Sequence, residues 1–342
     1  MMRVYRFGLI LSLAAVAAVP LATRRTAAQT GPPQQAASQA ASPQASSPQT
    51  SSAPQAGQQP IRVQVNLVNL FVTVRDKKSK RIVSDLTQDD FKISEDGKDQ
   101  KIVSFSKDST LPVTLGFLID TSGSEQYMLP SEQDAATRFL ARIMRKDDLA
   151  MVISFDSDAD LLQDFTDDQD RLSRSIHRAR INTPISLGPF PVNTAGTVFY
   201  DAVYLACHDE LGDQPGRRAL IVASDAQDEG SQLKLQDAIE AAQRSDTVVH
   251  VLLVADPRFG GGNEAVARKL TDETGGRTIV VRSEKKLEEA FDQISEELRS
   301  QYTLAYYSSN TARDGSYRKV KVDTTRKDLD VLTRRGYYAP KD

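Results

Sequence analysis

The sequence predicts an α/β fold: a doubly wound, mostly parallel sheet with one antiparallel edge strand, flanked by a small all-β unit built from the N- and C-terminal segments. Two observations predict it. From residue 111 onward, short apolar runs alternate with helix-like segments, which is typical of a parallel sheet with helices on both faces. Before residue 108 and after residue 301, apolar and polar residues alternate, and this period of two predicts half-buried strands.

Residues 1–28 have the layout of a secretory signal peptide. Two arginines precede an apolar run over residues 7–22, and small residues follow, so we expect cleavage after Ala28. Because Arg24 and Arg25 directly follow the apolar run, an uncleaved anchor is the alternative. The mature protein is therefore expected to be secreted or periplasmic, with no membrane span after cleavage.

Residues 29–59 are predicted to be a disordered linker. They consist of Ala, Gln, Ser, Pro, Thr and Gly alone. Such a segment cannot bury enough apolar surface to offset the entropy lost on ordering. We interpret it as a tether between the signal peptide and the folded part.

A β-rich unit is predicted over residues 60–110. Apolar residues alternate over 61–76, and two strand-like runs within 91–105 surround Asp96-Gly97, which is a hairpin signal. Three further strands are predicted within residues 302–342, too few for a stable sheet of their own. We therefore expect the two flanks to pair. The C-terminal strand candidates are residues 302–309, 317–323 and 329–335.

The inserted α/β unit is predicted over residues 111–301. The run at 159–165 follows its predecessor too closely for a helical crossover, so it is expected to be the antiparallel edge strand. A last helix is predicted from the spacing of apolar residues between 287 and 298. The other apolar runs are 113–120, 149–155, 219–224, 247–255 and 277–281, and the helix-like segments lie around 130–145, 168–180, 198–211, 231–245 and 263–274.

Composition excludes several classes of function. The formal net charge is -3, so no overall basic surface favours a nucleic-acid partner. Cys207 is the single cysteine, which excludes an internal disulfide and a cysteine-rich zinc site. Only three histidines are present, so a histidine-rich metal centre is not expected either.

Polar oxygens follow the ends of predicted buried strands. Asp120 ends the first run of the α/β unit, and Ser122 and Ser124 fall in the turn after it. Thr197 precedes a predicted helix, and Asp225 ends another apolar run. Ligands of open parallel sheets bind beyond the carboxyl ends of the strands. A set of carboxylates and hydroxyls suits a hard cation such as Mg²⁺.

At these residues the sequence resembles the von Willebrand factor A domain family with its metal-ion-dependent adhesion site. The resemblance is carried by Asp-x-Ser-x-Ser at 120–124, by Thr197 and by Asp225, and it covers about 113–300. Segments like those at 86–98 and 298–340 flank such domains in bacterial exported proteins. The family usually has glycine after the third-motif aspartate. Here Ala226 stands there, and alanine is less free to adopt a positive φ.

The resemblance implies a Rossmann-like fold and a division of roles at one metal ion. Ser122, Ser124 and Thr197 would contact Mg²⁺ (or Mn²⁺ or Ca²⁺) through hydroxyls, and Asp120 and Asp225 would bind it directly or through water. The remaining position would accept an Asp or Glu carboxylate of a partner protein, because two carboxylates leave a divalent ion near neutral. This implies adhesion without catalysis.

Other interpretations of the same residues remain open. The two serines and Thr197 could instead be helix N-caps, and Thr194 is a rival ligand to Thr197. A structural domain with an empty metal site is one alternative function. A hydrolase is another, although Gly-x-Ser-x-Gly is absent, Ser122 interrupts the Asp-Thr-Gly motif of aspartic proteases, and no second copy exists. The acidic stretch 155–167 lacks the glycine and glutamate of a calcium loop, so we interpret it as a polar turn.

Overall fold

The computed structural model describes residues 66–107, 111–182, 196–254 and 261–341. The predicted signal peptide, the predicted linker and Thr194 lie outside these ranges. Within them, no helix combines the length and the apolar character that a bilayer crossing requires.

The α/β unit begins at β5 and ends at α6. In chain order its elements are β5 (Val113–Asp120), α1 (Leu129–Ile143), β6 (Leu149–Phe155), β7 (Ala159–Thr166), α2 (Gln169–Ile176), α3 (Phe199–Leu205), β8 (Arg217–Ser224), α4 (Leu235–Arg244), β9 (Thr247–Val254), α5 (Glu264–Thr274), β10 (Thr278–Val281) and α6 (Glu284–Arg299).

Six strands of the described residues form one sheet in the order β10-β9-β8-β5-β6-β7. Neighbours are parallel except β7, which pairs antiparallel with β6 at the edge. The prediction of a mostly parallel sheet with one antiparallel edge strand is confirmed. Because β5 lies between β6 and β8, the chain leaves β5 in one direction and returns to its other side, which makes the β5–β8 boundary a topological switch point.

Each face of this sheet is covered by helices. Alternating residues of β5 belong to different cores: Leu115, Phe117 and Ile119 share a cluster with residues of α1, α2 and α6, whereas Leu118 shares one with residues of α3, α4 and α5. Every residue of β5 is buried, as expected for a strand covered on both sides. This double covering makes the strand a rigid support for the residues at its end.

The flanking β unit is built from both ends of the described chain. Its strands are β1 (Leu67–Asp76), β2 (Phe91–Glu95), β3 (Lys98–Gln100), β4 (Ile102–Ser106), β11 (Tyr302–Tyr307), β12 (Tyr317–Thr324), β13 (Leu329–Leu332) and β14 (Gly336–Tyr338). Two described sheets result, with the orders β13-β1-β11-β4 and β14-β12-β2-β3. N- and C-terminal strands are neighbours in both sheets, and the sheets share one apolar core.

Local details differ from the sequence prediction where tertiary pairing decides them. The hairpin forms at Asp96-Gly97, both at positive φ, as a two-residue turn requires. The second strand predicted for this hairpin is two strands in the structure, however. β3 pairs with β2, whereas β4 belongs to the other sheet and pairs with β11. The helix predicted around 198–211 consists of two parts: α3, followed directly by a π-helical turn over Ala206–Glu210. The last predicted strand, 329–335, ends early as β13, and β14 follows just beyond its predicted range.

A buried glutamate joins the two β sheets. Glu95 of β2 is 2% exposed and accepts hydrogen bonds from the hydroxyls of Tyr306 (2.8 Å), Tyr337 (2.9 Å) and Ser308 (2.6 Å). Tyr306 belongs to the first sheet and Tyr337 to the second. A buried carboxyl group is tolerated only when its oxygens are satisfied, so these three donors hold residues from both flanks together.

We expect Tyr306→Phe to lower the free energy of unfolding by about 1–3 kcal/mol, because it leaves a buried carboxyl oxygen with one donor fewer. Urea unfolding followed by circular dichroism measures the loss. Tyr307→Phe is the matched control, since Tyr307 is 49% exposed and its change should stay within about 0.5 kcal/mol. Equal effects of the two substitutions would contradict the role of Glu95.

Candidate metal centre

The predicted ligands gather at the carboxyl edge of the sheet, at the switch point. Asp120 is the last residue of β5. The neighbouring parallel strand β8 ends at Ser224, so Asp225 follows at the same edge. Register pairs Ile119 with Ala223, which brings the residues that follow the two strands side by side. The sheet topology alone therefore brings together the loop after β5 (the first loop) and the loop after β8 (the third loop); the segment that carries Thr197 is the second.

The first loop is organised around the Asp120 carboxylate. Its Oδ1 accepts from the backbone N–H of Ser122 at 2.9 Å, and its Oδ2 accepts from the hydroxyl of Ser224 at 2.6 Å. The hydroxyls of Ser122 and Ser124 lie 3.0 Å apart and form a hydrogen bond. Ser122 precedes the short 3₁₀ turn Gly123–Glu125, but its side chain makes no capping hydrogen bond, and Ser124 lies inside that turn. Both serines are partly buried, and the Ser122 hydroxyl lies beside Asp120.

The third loop holds the Asp225 carboxylate through one residue, Gln227. Gln227 donates to Asp225 Oδ1 from its backbone N–H (3.0 Å) and to Oδ2 from its side-chain amide (3.2 Å). Between them, Ala226 has φ +56° and is fully buried, and its N–H donates to Ser224 Oγ at 2.9 Å. The loop therefore adopts the positive φ that glycine would favour, with an alanine in that place.

Thr197 is tied to the third loop by its backbone. Its carbonyl oxygen accepts from the N–H groups of Glu229 (3.0 Å) and Gly230 (3.1 Å). A Cβ on Gly196 would lie 2.3 Å from Glu229 Cβ, and one on Gly230 would lie 2.2 Å from the Gly196 carbonyl oxygen. The close approach of these two segments therefore requires glycine on both sides. The assignment of the Thr197 hydroxyl as a metal ligand stays a prediction.

A carboxylate absent from the predicted ligand set also lies at this site. Ligand oxygens of Asp120, Glu125 and Asp225 all lie within 4.8 Å of one another. Glu125 is 1% exposed, and Glu132 of α1 is equally buried. In the sequence, Glu125 stands directly after the Asp-x-Ser-x-Ser pattern. Acidic residues are common at helix starts, where they interact favourably with the helix dipole, so its position in the sequence did not indicate a metal ligand.

Burial dominates the electrostatics of these groups. It raises the pKa of Asp120 to about 6, against the lowering effect of hydrogen bonds from Ser122 and Ser224. Burial also raises the pKa of Glu125, and repulsion from the carboxyls of Glu132, Asp120 and Asp225 adds to it. The pKa of Glu132 is raised by burial and then by Asp120. Buried carboxyls that face one another resist ionisation unless a cation is present.

The donor set fits a hard divalent cation. It consists of carboxylate and hydroxyl oxygens, which Mg²⁺ and Ca²⁺ prefer over nitrogen and sulfur. The Oε2 atom of Glu125 is buried and has no hydrogen-bond partner among the described residues. Such an atom is costly without a partner, and a bound cation would supply one.

In a comparison with known families, the family model of the von Willebrand factor type A domain matches residues 115–227. The matched range begins inside β5 and ends two residues after Asp225, so it spans both loops that carry the predicted carboxylate ligands. A comparison with curated protein sequences finds no match.

The solved structures similar to this chain include proteins from bacteria and from a mussel. The conserved hypothetical protein BatB from Bacteroides thetaiotaomicron is 20% identical, with 55% of this chain and 100% of that chain covered and a TM-score of 0.41. The vWF domain of the type V pili tip protein Mfa5 from Porphyromonas gingivalis is 16% identical, with coverages of 55% and 95% and a TM-score of 0.41. Proximal thread matrix protein 1 from the mussel byssus, with a zinc-occupied MIDAS motif, is 14% identical, with coverages of 60% and 50% and a TM-score of 0.45.

We expect Ala226→Gly to change the free energy of unfolding by less than about 1 kcal/mol. Relief of the positive φ favours glycine by about 1–2 kcal/mol. Loss of a buried methyl group, about 0.8 kcal/mol, and the greater freedom of glycine in the unfolded chain, about 0.4–1 kcal/mol, oppose it. Denaturant unfolding measures the balance. Ala223→Gly in β8 is the control. It also loses a buried methyl group and gains freedom in the unfolded chain, but it relieves no positive φ, so its free energy of unfolding should fall by about 1–2 kcal/mol. Equal losses would show that no strain is stored at Ala226.

The metal-free protein should lose stability as the pH rises from about 4 to 6. The unfolded carboxyl of Asp120 ionises near its ordinary value of 3.8, whereas the folded one retains its proton to about 6. The native state therefore binds more protons across this window, and the free energy of unfolding falls as they are released. The Asp120 contribution is absent below the window and reaches about 3 kcal/mol above it.

Urea unfolding in excess chelator at several pH values checks this expectation. Asp120→Asn should show a shallower fall than the wild type. Asp158→Asn, which changes an exposed acid of the nearby turn, should keep the wild-type fall. Wild-type and Asp120→Asn slopes that coincide would contradict the burial cost assigned to this carboxylate.

Proposed function

Because the chain carries a von Willebrand factor type A domain over residues 115–227, we propose that this domain is a non-catalytic, protein-binding module that acts through a divalent cation. The cation would be Mg²⁺, or Mn²⁺ or Ca²⁺. The partner would present an Asp or Glu carboxylate to it. A structural domain that binds no metal and a hydrolase are the alternatives.

One observation supports the metal above all others: acidic oxygens converge in a buried place. Asp120 is 0% exposed and Asp225 is 5% exposed, yet their ligand oxygens lie within 4.8 Å of each other. Two like charges at this distance repel strongly in a poorly solvated site. The charged neighbours that raise the pKa of Asp120 and Glu125 are all carboxyls. A divalent cation would offset this repulsion.

The proposed ligands divide by chemistry. The hydroxyls of Ser122, Ser124 and Thr197 would donate lone pairs without adding charge, whereas Asp120 and Asp225 would bind directly or through water. When bound, the ion would supply a positive centre with an open position for an anionic oxygen. Ser224 and Gln227 would orient the two aspartates through the hydrogen bonds they already donate.

The positions of the histidines support a non-catalytic module. A hydrolase needs a base within reach of a nucleophile. His177 contacts Asp134, and His208 contacts Asp209. His250 lies buried in β9, 4.0 Å from Glu297. His177 and His208 are thus engaged by carboxylates outside the metal ligands, and the buried His250 ring has no hydrogen-bond partner among the described residues. The predicted signal peptide extends the proposal to an envelope or secreted location.

We expect Mg²⁺, Mn²⁺ or Ca²⁺ to bind the wild-type protein with a one-to-one stoichiometry, and Asp120→Asn to abolish that binding. Removing one charged ligand from a site with two leaves the ion without its main electrostatic attraction. Isothermal titration calorimetry on the mature chain measures both. Asp158→Ala is the matched control, because it removes an exposed acid from the turn that resembles a calcium loop.

Two further results decide between the candidate functions. A wild-type protein that binds no divalent ion would favour the structural alternative. Turnover of ester, phosphate or peptide substrates that Asp120→Asn abolishes would favour the hydrolase. Affinity capture from envelope extract tests the binding role: a partner retained with the ion should be released by chelator and should not be retained by Asp120→Asn.

A further inference from the structure

Glu125 lies inside the proposed metal site, although the Asp-x-Ser-x-Ser pattern ends one residue before it. It closes the 3₁₀ turn Gly123–Glu125 that follows the two serines. Its backbone is fixed on both sides: its N–H donates to the Ser122 carbonyl at 3.1 Å, and its carbonyl accepts from Met128 at 2.9 Å. The turn thereby directs the glutamate inward, to 1% exposure, rather than into solvent.

The hydrogen bonds of the three gathered carboxyls distinguish Glu125 from the aspartates. Asp120 accepts from Ser122 and Ser224, and Asp225 accepts twice from Gln227. In contrast, Glu125 Oε2 is buried and accepts no hydrogen bond from a backbone N–H, hydroxyl or amide of the described residues. The group that faces it is a second buried acid, Glu132. Two such carboxyls can only share a proton or repel each other, whereas a cation would satisfy the Glu125 oxygen fully.

The spacing of the oxygens fits a single cation. Oxygens on opposite sides of a bound Ca²⁺ lie about 4.8 Å apart, since each Ca²⁺–O distance is about 2.4 Å. Ligand oxygens of Asp120, Glu125 and Asp225 lie within 4.8 Å of one another. All three can therefore belong to one coordination sphere. Glu132 is equally buried and also lacks hydrogen-bond partners, but it is not a member of this group of three.

We propose that Glu125 is a further ligand of the cation, so that the site holds the ion with three carboxylates rather than two. This inference rests on the proposed function, because it concerns the same ion. A third carboxylate exceeds the one or two that Mg²⁺ commonly takes and suits the larger coordination number of Ca²⁺. Glu125 therefore shifts the preference of the site toward Ca²⁺.

Glu125→Gln tests the proposal, with Glu132→Gln as the matched control. Both substitutions replace a buried carboxyl by an amide of the same shape, and both glutamates are 1% exposed. Calorimetric titration with Ca²⁺ and with Mg²⁺ measures affinity, and thermal unfolding with and without the ion gives a second readout. We expect Glu125→Gln to weaken Ca²⁺ binding by at least about tenfold and Mg²⁺ binding by less. Glu132→Gln should weaken both ions less than Glu125→Gln weakens Ca²⁺, because it removes a neighbouring charge and not a proposed ligand.

Without a metal ion, the same substitutions should have the opposite effect and stabilise the protein. Each substitution removes a buried charge-bearing group, so both variants should melt at a higher temperature than the wild type in chelator. The rise in melting temperature that Ca²⁺ produces should shrink for Glu125→Gln alone. Glu125→Asp, which keeps the charge but withdraws the oxygens by one methylene, should also bind Ca²⁺ more weakly, and it serves if the glutamine variant does not fold.

The outcomes separate this proposal from the proposed function. A wild type that binds no divalent cation overturns both. A wild type that binds, with Glu125→Gln at unchanged affinity, overturns the role of Glu125 alone. Equal weakening by Glu125→Gln and Glu132→Gln also overturns it, because the effect is then one of charge at a distance rather than of a ligand.

Discussion

The burial of the Asp120 carboxylate is the constraint on which the rest of this site depends. The strand that carries it is covered by helices on both faces, so the carboxylate leaves water at the strand end. Its two oxygens then need donors, and Ser122 and Ser224 provide them from two different loops. The need to satisfy one buried acid thereby sets the conformation of both loops.

Sequence patterns predicted the fold and the strand-end aspartates for the same physical reason. A buried parallel strand is apolar over its whole length, so the run 113–120 matched β5 residue for residue. In contrast, the division of β3 from β4 and the inward position of Glu125 depend on contacts between segments distant in sequence. Neither periodicity nor composition records such contacts. Ser224 was hidden similarly, since a serine that ends an apolar strand has no distinctive pattern.

Ala226 shows how a site can override local preference. An alanine is expected to resist a positive φ, yet Ala226 has φ +56°. Its N–H bonds to Ser224 and the Asp225 carboxylate is held by Gln227. The surrounding hydrogen bonds thus determine the backbone conformation, and the cost of about 1–2 kcal/mol is small beside leaving buried donors and acceptors unpaired.

The pairing of β4 with β11 has a consequence for the order in which the protein forms. Ser106 and Thr303 are register partners, so the inserted unit leaves and re-enters the β unit at adjacent positions. Once that unit has folded, its two ends lie close together, so pairing β4 with β11 no longer has the entropic cost of closing a long loop. Strands β1, β2 and β4 are synthesised first but lack their neighbours β11, β12 and β13 until the last part of the chain emerges. The strands that are synthesised first are therefore the last to gain their partners, and their open edges are exposed to wrong pairing throughout synthesis.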